Sequence, residues 1–136
     1  MSTLSKRERG LALFLRTLGC LDLLAIVAVV MPGQWLEAAH RAAGLGHLPT
    51  VPIVGYLARS APAMYVLYGA TVVFISFDVV RYERLIRFMA FAALVHGAAM
   101  FAVDWAQQMP TFWRYAEGPG FAAISAGVLW LQRRSE

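Results

Sequence analysis

The chain has 136 residues, 60% of them hydrophobic and 15% charged, with a mean hydropathy of +0.59. A soluble domain carries about 25% charged and about 45–50% apolar residues, so an ordinary soluble fold is excluded and an integral membrane protein is expected. The formal charge of +4 comes without a Lys/Arg-rich run interleaved with aromatics, which sets nucleic acid aside, and the lone Cys20 allows no disulfide within the chain.

Lys6, Arg7 and Arg9 precede the first apolar run, a predicted span over about residues 10–31 that stops at Pro32 and Gly33. A basic start before an apolar run also fits a signal peptide. No small-x-small cleavage site follows, so a span is the expectation. Arg16 lies near enough to the inner end to snorkel outward; Asp22, at mid-span, does not.

Residues 34–43 predict a short amphipathic helix, with Trp35, Leu36, Ala39 and Ala43 at helical spacing and Glu37 placed to pair with Arg41. Gly44 and Gly46 end it. It is expected to lie on the outer membrane surface with Trp35 as anchor; a lid over a cavity between the spans is the alternative. Pro52 suits the first turn of the next helix. That helix passes Arg59, is expected to kink at Pro62, and spans about residues 57–78.

A connection with Arg81, Arg84 and Arg87 against Glu83 leads to a third span over about residues 87–107. Its stretch 88–105, FMAFAALVHGAAMFAVDW, is long enough at about 1.5 Å per residue to cross most of a core about 30 Å thick. Residues 111–117 read as an aromatic connection with Phe112, Trp113 and Tyr115. Gly118, Pro119 and Gly120 are expected to break the backbone before a last span over about residues 118–132, where Gly118, Ala122 and Ala126 give small-xxx-small spacing. Arg133 and Arg134 form a basic tail.

Topology follows from the basic residues. Eight (Lys6, Arg7, Arg9, Arg81, Arg84, Arg87, Arg133, Arg134) fall on one side and three (Arg41, Arg59, Arg114) on the other, so the positive-inside rule puts both termini in the cytoplasm. Trp35, Trp105 and Trp113 then mark the outer interface and Trp130 the inner one. A weak repeat accompanies this. Met31-Pro32-Gly33-Gln34-Trp35 and Met109-Pro110-Thr111-Phe112-Trp113 share M-P-x-x-W, 78 residues apart, and at the same offset Arg9 matches Arg87 and Gly19 matches Gly97. Two helical hairpins related by an axis along the membrane normal would explain it, although Pro and Trp are also what any outer helix end attracts.

The span centres carry polar groups at one depth: Asp22, Tyr68, His96 and Ser125. A carboxylate facing lipid at mid-depth costs about 2.5–3.5 kcal/mol, so Asp22 is expected to face the interior and either find a partner, His96 first and Tyr68 or Ser125 otherwise, or remain protonated. The network either fixes which helices pack together or forms a site, as a proton-accepting pair or the polar end of a small-molecule pocket. Arg59, Asp104, Arg114 and Glu117 cluster near outer helix ends and are expected to form ion pairs; a rim that recognises a partner or an anionic group is the alternative. Neither a metal site nor a cofactor is expected. Of His40, His47 and His96 only the last lies in a span, which leaves zinc and bis-histidine haem without ligands, and no nucleophile triad or phosphate-cradling loop stands out.

The basic start, the M-P end of the first span, Tyr56-Leu57-Ala58-Arg59-Ser60, Asp78-x-x-Arg81-Tyr82 and Glu117-Gly118-Pro119 together resemble the BphX-like group of small bacterial four-helix membrane proteins, over nearly the whole chain. That resemblance implies a fold and a bacterial inner-membrane location but no established chemistry. A looser likeness to DoxX-type proteins, some of which accompany quinone-linked oxidoreductases, is echoed only in Arg16 and Gly19. The expectation is an all-α, single-domain integral membrane four-helix bundle with a short outer amphipathic helix. Its expected role is non-catalytic: a structural or accessory protein that binds itself or a larger membrane complex in the lipid bilayer. The alternative is quinone-like small-molecule binding or proton handling at the Asp22/His96 level, as an accessory of a redox system.

Overall fold

The computed structural model describes residues 5–132; the basic tail with Arg133 and Arg134 lies outside them. Among the described residues the secondary structure is helical throughout, with no strand. The helices are α1 (Lys6–Leu23), α2 (Ile26–Val30), α3 (Gly33–Ala42), α4 (Pro52–Ile75), α5 (Glu83–Ala106) and α6 (Thr111–Gln132). Three stretches are long and apolar enough to cross a membrane: Lys6–Val30, Pro52–Ile75 and Glu83–Ala106. α6 has the length, at 22 residues, but Arg114, Glu117, Pro119 and two glycines in its first half dilute its apolar character, and it is not among the three.

The helix ends show how the sequence sets the elements. Ser5 and Glu8 form a reciprocal capping box at the start of α1: the Ser5 amide donates to Glu8 Oε2 at 2.6 Å, and the Glu8 amide to Ser5 Oγ at 3.2 Å. After Asp22 the first span changes pitch. Leu24 N–H and Ala25 N–H bond three residues back, to Leu21 and Asp22, before α2 resumes the run. That tightening is a 3₁₀-like turn. So the first span is two helical pieces rather than one. α5 ends with Gln108 in the left-handed region (φ 54°) and Met109 N–H bonding back to the Asp104 carbonyl at 3.0 Å, a Schellman-type stop.

The last helix corrects an expectation. Gly118, Pro119 and Gly120 do not break the chain: α6 begins at Thr111 and runs through all three. Gly118 is a packing residue instead. A Cβ there would lie 2.7 Å from Phe101 Cβ and 2.8 Å from the Gly97 carbonyl oxygen. Packing against α5 supports the helix across a proline that would otherwise end it, as helices in membranes tolerate. Pro62 likewise sits inside an uninterrupted α4.

By contacts the chain divides into two compact units, Met1–Arg16 with Ile75–Glu136, and Thr17–Phe74. In the first, α5 and α6 pack antiparallel along their length. Gly97 meets Gly118 at the crossing, and Gln132 Nε2 donates to the Glu83 carbonyl at 3.0 Å where α6 ends beside the start of α5. Leu11, Ala12, Leu15, Ile75, Val79, Ile86, Ala90 and Val128 are its buried apolar side chains. In the second, α1 and α4 meet at Gly19 and Gly69. A Cβ on Gly69 would lie 2.7 Å from the Gly19 carbonyl oxygen, and one on Gly19 would lie 2.7 Å from that of Gly69. Val72 is the buried apolar side chain beside this crossing.

Candidate functional site

The four mid-span polar residues fall two to each unit. Asp22 stands at the α1–α4 crossing, its Cβ 2.7 Å from where a Gly69 Cβ would be. It is half-buried, and its carboxylate interacts electrostatically with the Tyr68 phenol on the facing helix. Tyr68 is otherwise exposed. In the other unit His96 is exposed and meets the edge of Phe121, with ring centroids 5.0 Å apart and planes at 88°. Ser125, one turn further along α6, is 1% exposed, and its Oγ has no hydrogen-bond partner among the described residues. Asp22 and Tyr68 are therefore brought together. Both stand beside a close helix crossing.

Arg59, Arg114 and Glu117, expected with Asp104 as an ion-pair cluster, find other partners. Arg59, on α4, donates from Nη1 to the carbonyls of Val29 at 2.7 Å and Met31 at 3.0 Å. These are terminal carbonyls of the first span, which no intrahelical amide satisfies, and a cation there also suits the helix dipole. In the other unit Arg114 lays its guanidinium over the Trp105 ring, 4.7 Å from the centroid. Glu117 Oε2 accepts from Trp113 Nε1 at 2.6 Å. Among the described residues no ion pair joins Asp104, Arg114 and Glu117. The reason is local competition: a ring four residues back takes the Glu117 carboxylate, and an aromatic face takes Arg114. Asp104 is 2% exposed, and its Oδ2, like Arg114 Nε, is a buried polar atom without a hydrogen-bond partner among the described residues.

A second small cluster was not apparent from the sequence. Glu37, expected to pair with Arg41, turns its carboxylate to the loop that follows α3. Its Oε1 lies 2.9 Å from His47 Nδ1, and its Oε2 accepts the Leu48 amide at 2.7 Å. His40 Nδ1 meets the Gly46 carbonyl at 3.0 Å, and Gly44 and Gly46, with φ of 76° and 78°, give the loop the curvature to fold back. The Leu48 amide, with His47 and the charge of Arg41, holds the Glu37 carboxyl below its usual range. The sequence signal was available in H-x₆-H flanking two glycines, but sequence does not say that a loop curls back onto its own helix.

Two basic residues on α1 and α5 have different partners. Arg16, predicted to snorkel, donates from Nε to Ser76 Oγ at 3.4 Å and stacks over Phe77, 4.7 Å from the centroid. Arg87 pairs with Glu83 at 2.8 Å. Among the described residues no group of three or more His, Cys, Asp or Glu side chains is placed to hold a metal ion. No protein-family model, curated protein or solved structure matches this chain.

Proposed function

We propose that this chain is a small integral protein of a bacterial inner membrane, a four-helix bundle with both ends cytoplasmic and α3 lying on the outer surface. Its role is non-catalytic: it binds itself or a larger membrane complex through the exposed faces of its spans, as the resemblance to BphX-like proteins also suggests. The observation that carries this reading is the exposure of the three apolar helices. Large side chains such as Leu24, Met64, Leu67, Phe88, Phe91 and Val95 are exposed. A soluble monomer rarely leaves so continuous an apolar surface in water, so lipid and membrane partners cover it. The M-P-x-x-W repeat and the glycine crossing in each unit are consistent with two related hairpins. The test is a native mass spectrum of tagged protein taken from its own membranes in mild detergent. A homo-oligomer or a co-purifying membrane protein is the expected result; a bare monomer at all protein concentrations would contradict it.

A second reading rests on the Asp22–Tyr68 pair beside the α1–α4 crossing. In it the mid-span polar level handles protons or binds a quinone-like molecule as an accessory of a redox system. An Asp22→Asn protein that folds normally but loses a pH-dependent signal would favour this reading. A variant that loses stability equally at all pH values would favour the structural one.

A further inference from the structure

One end of the unit made of Met1–Arg16 and Ile75–Glu136 gathers charge from two distant segments. The first is the opening turn of α1, with Lys6, Arg7 and Arg9; the second is the turn into α5 and its first turn, with Arg81, Arg84 and Arg87. Three links place them at the same end. Arg16 reaches Ser76, a Cβ on Gly127 would lie 3.5 Å from Phe14 Cζ, and Gln132 bonds the Glu83 carbonyl at 3.0 Å. The acidic residues of the same segments are engaged locally. Glu8 caps Ser5, Asp78 Oδ1 accepts the Arg81 amide at 3.1 Å, and Glu83 pairs with Arg87. Six basic residues against three acidic ones leave this end cationic, and Lys6, Arg81 and Arg84 are exposed.

Apolar side chains alternate with this charge. Phe77, Val80, Leu85 and Phe88 are exposed large hydrophobics within the same stretch. Phe88 lies four residues after Arg84 on α5, so the two share a helical face, and Arg81 stands in the turn just before that helix. A soluble anion matches only the cations. A molecule with a phosphate head and an acyl chain matches both.

We propose that this rim binds anionic phospholipid, with the phosphodiester and its net negative charge held by Arg81, Arg84 and Lys6 and the first methylenes lying on Phe77, Leu85 and Phe88. Clusters of four to eight basic residues at the end of a span attract anionic headgroups, and the long arginine stems reach headgroup depth while covering apolar surface. Leu11 and Leu15 on α1, and Val79 and Ile86 in the second segment, are buried. The inference rests on the membrane reading above.

The test uses the full chain in neutral detergent, with phosphatidylglycerol or phosphatidylcholine added at matched concentrations and bound lipid counted by native mass spectrometry. Phosphatidylglycerol is expected to outnumber phosphatidylcholine about tenfold, and its excess to shrink as ionic strength rises. Arg81→Gln with Arg84→Gln is expected to cut phosphatidylglycerol binding at least about fivefold and leave phosphatidylcholine unchanged, with helicity checked by circular dichroism. Should that pair fail to fold, Lys6→Gln with Arg84→Gln carries the same expectation. Equal binding of the two lipids would overturn the proposal and leave the rim to an acidic protein partner. Displacement of the lipid by inorganic phosphate would overturn it in favour of a general anion site. Failure to bind either lipid would overturn the membrane reading with it.

Discussion

Residues 17–74 and the remainder of the chain each contain two helices that meet glycine to glycine, yet the surroundings of the two crossings differ. Around Gly97 and Gly118 the helices continue into a side-chain core, with Ile86 1% exposed and Ala90 and Val128 also buried. Around Gly19 and Gly69 the buried apolar side chain is Val72, and the nearest polar group is Asp22. The first unit can lose part of its glycine contact and still be held by interdigitated side chains. The second relies on backbones lying within van der Waals reach, on the Arg59 cap over the last carbonyls of the first span, and on the Glu37 loop bonds. In lipid, where apolar burial between helices gains little over acyl chains, close backbone approach and internal hydrogen bonds hold helices together. The second unit illustrates that regime, and the first adds side-chain packing to it.

The largest effect is expected where the side-chain core is cut. Ile86→Ala should cost about 2–5 kcal/mol, read by denaturation in detergent, with the loss confined to the unit that contains α5 and α6. A cost below about 1 kcal/mol would mean that this core is not what holds the unit. Next comes Arg59→Gln, which removes a charged Nη1 donor shared by two carbonyls, worth about 1.5–3 kcal/mol in total. It should speed amide exchange in residues 26–31 and leave α5 and α6 protected. Arg59→Lys keeps the charge but not the planar fork and should recover part of the protection.

Gly69→Ala sharpens the comparison. Overpacking costs about 1–3 kcal/mol, and here the new Cβ meets a carbonyl oxygen at 2.7 Å that cannot move without its helix. Limited proteolysis should then open residues 17–74 at lower temperature than in the parent protein. Gly97→Ala should lower the melting temperature without exposing residues 75–132 to the same degree. If both variants are cut at the same sites and rates, the proposed difference between the units is wrong.

The smallest effect belongs to Glu37. Its carboxyl is held low in the folded chain, so its contribution is fully present above the ordinary carboxylate range and is lost as pH falls through and below it. A melting-temperature series from neutral to acid pH should show the parent protein ahead of Glu37→Gln at neutral pH and the two converging below about pH 4. Parallel curves would remove the charge of Glu37 from the account.

The sequence made the spans legible because length and hydropathy are additive properties of a stretch. Residues 10–31, 57–78 and 87–107 overlap helices, although the first stretch is split between α1 and α2 and α4 runs from Pro52 to Ile75, and Pro52 opens α4 as its preference for a first turn predicts. Non-additive features were read less well. Gly118, Pro119 and Gly120 looked like a break because their propensities are local, whereas Gly118 is decided by the approach of Gly97 from another helix. Ser5-x-x-Glu8 was a readable capping box, overlooked beside the basic residues around it. Arg59 was expected to find an acid and found two carbonyls instead, because backbone acceptors at a helix end leave no mark in a sequence. Tyr68 was among the candidates named for Asp22, after His96, because equal depth can be counted along a sequence whereas the facing helix cannot. The bonding of Glu37 to a residue eleven positions on was not, because it depends on how a glycine loop curves.

The most direct test of the four-span reading asks whether α6 crosses the membrane, since its first half is the least apolar of the proposed spans. In a Cys20→Ser background, Gln108→Cys and Ser135→Cys place single thiols at the two ends of α6, for labelling of intact cells with a membrane-impermeant maleimide. The account predicts that position 108 is labelled from outside and that position 135 is labelled only after the cells are opened. Labelling of both positions, or of neither, in intact cells would put the two ends of α6 on one side and contradict a four-helix bundle with both termini in the cytoplasm.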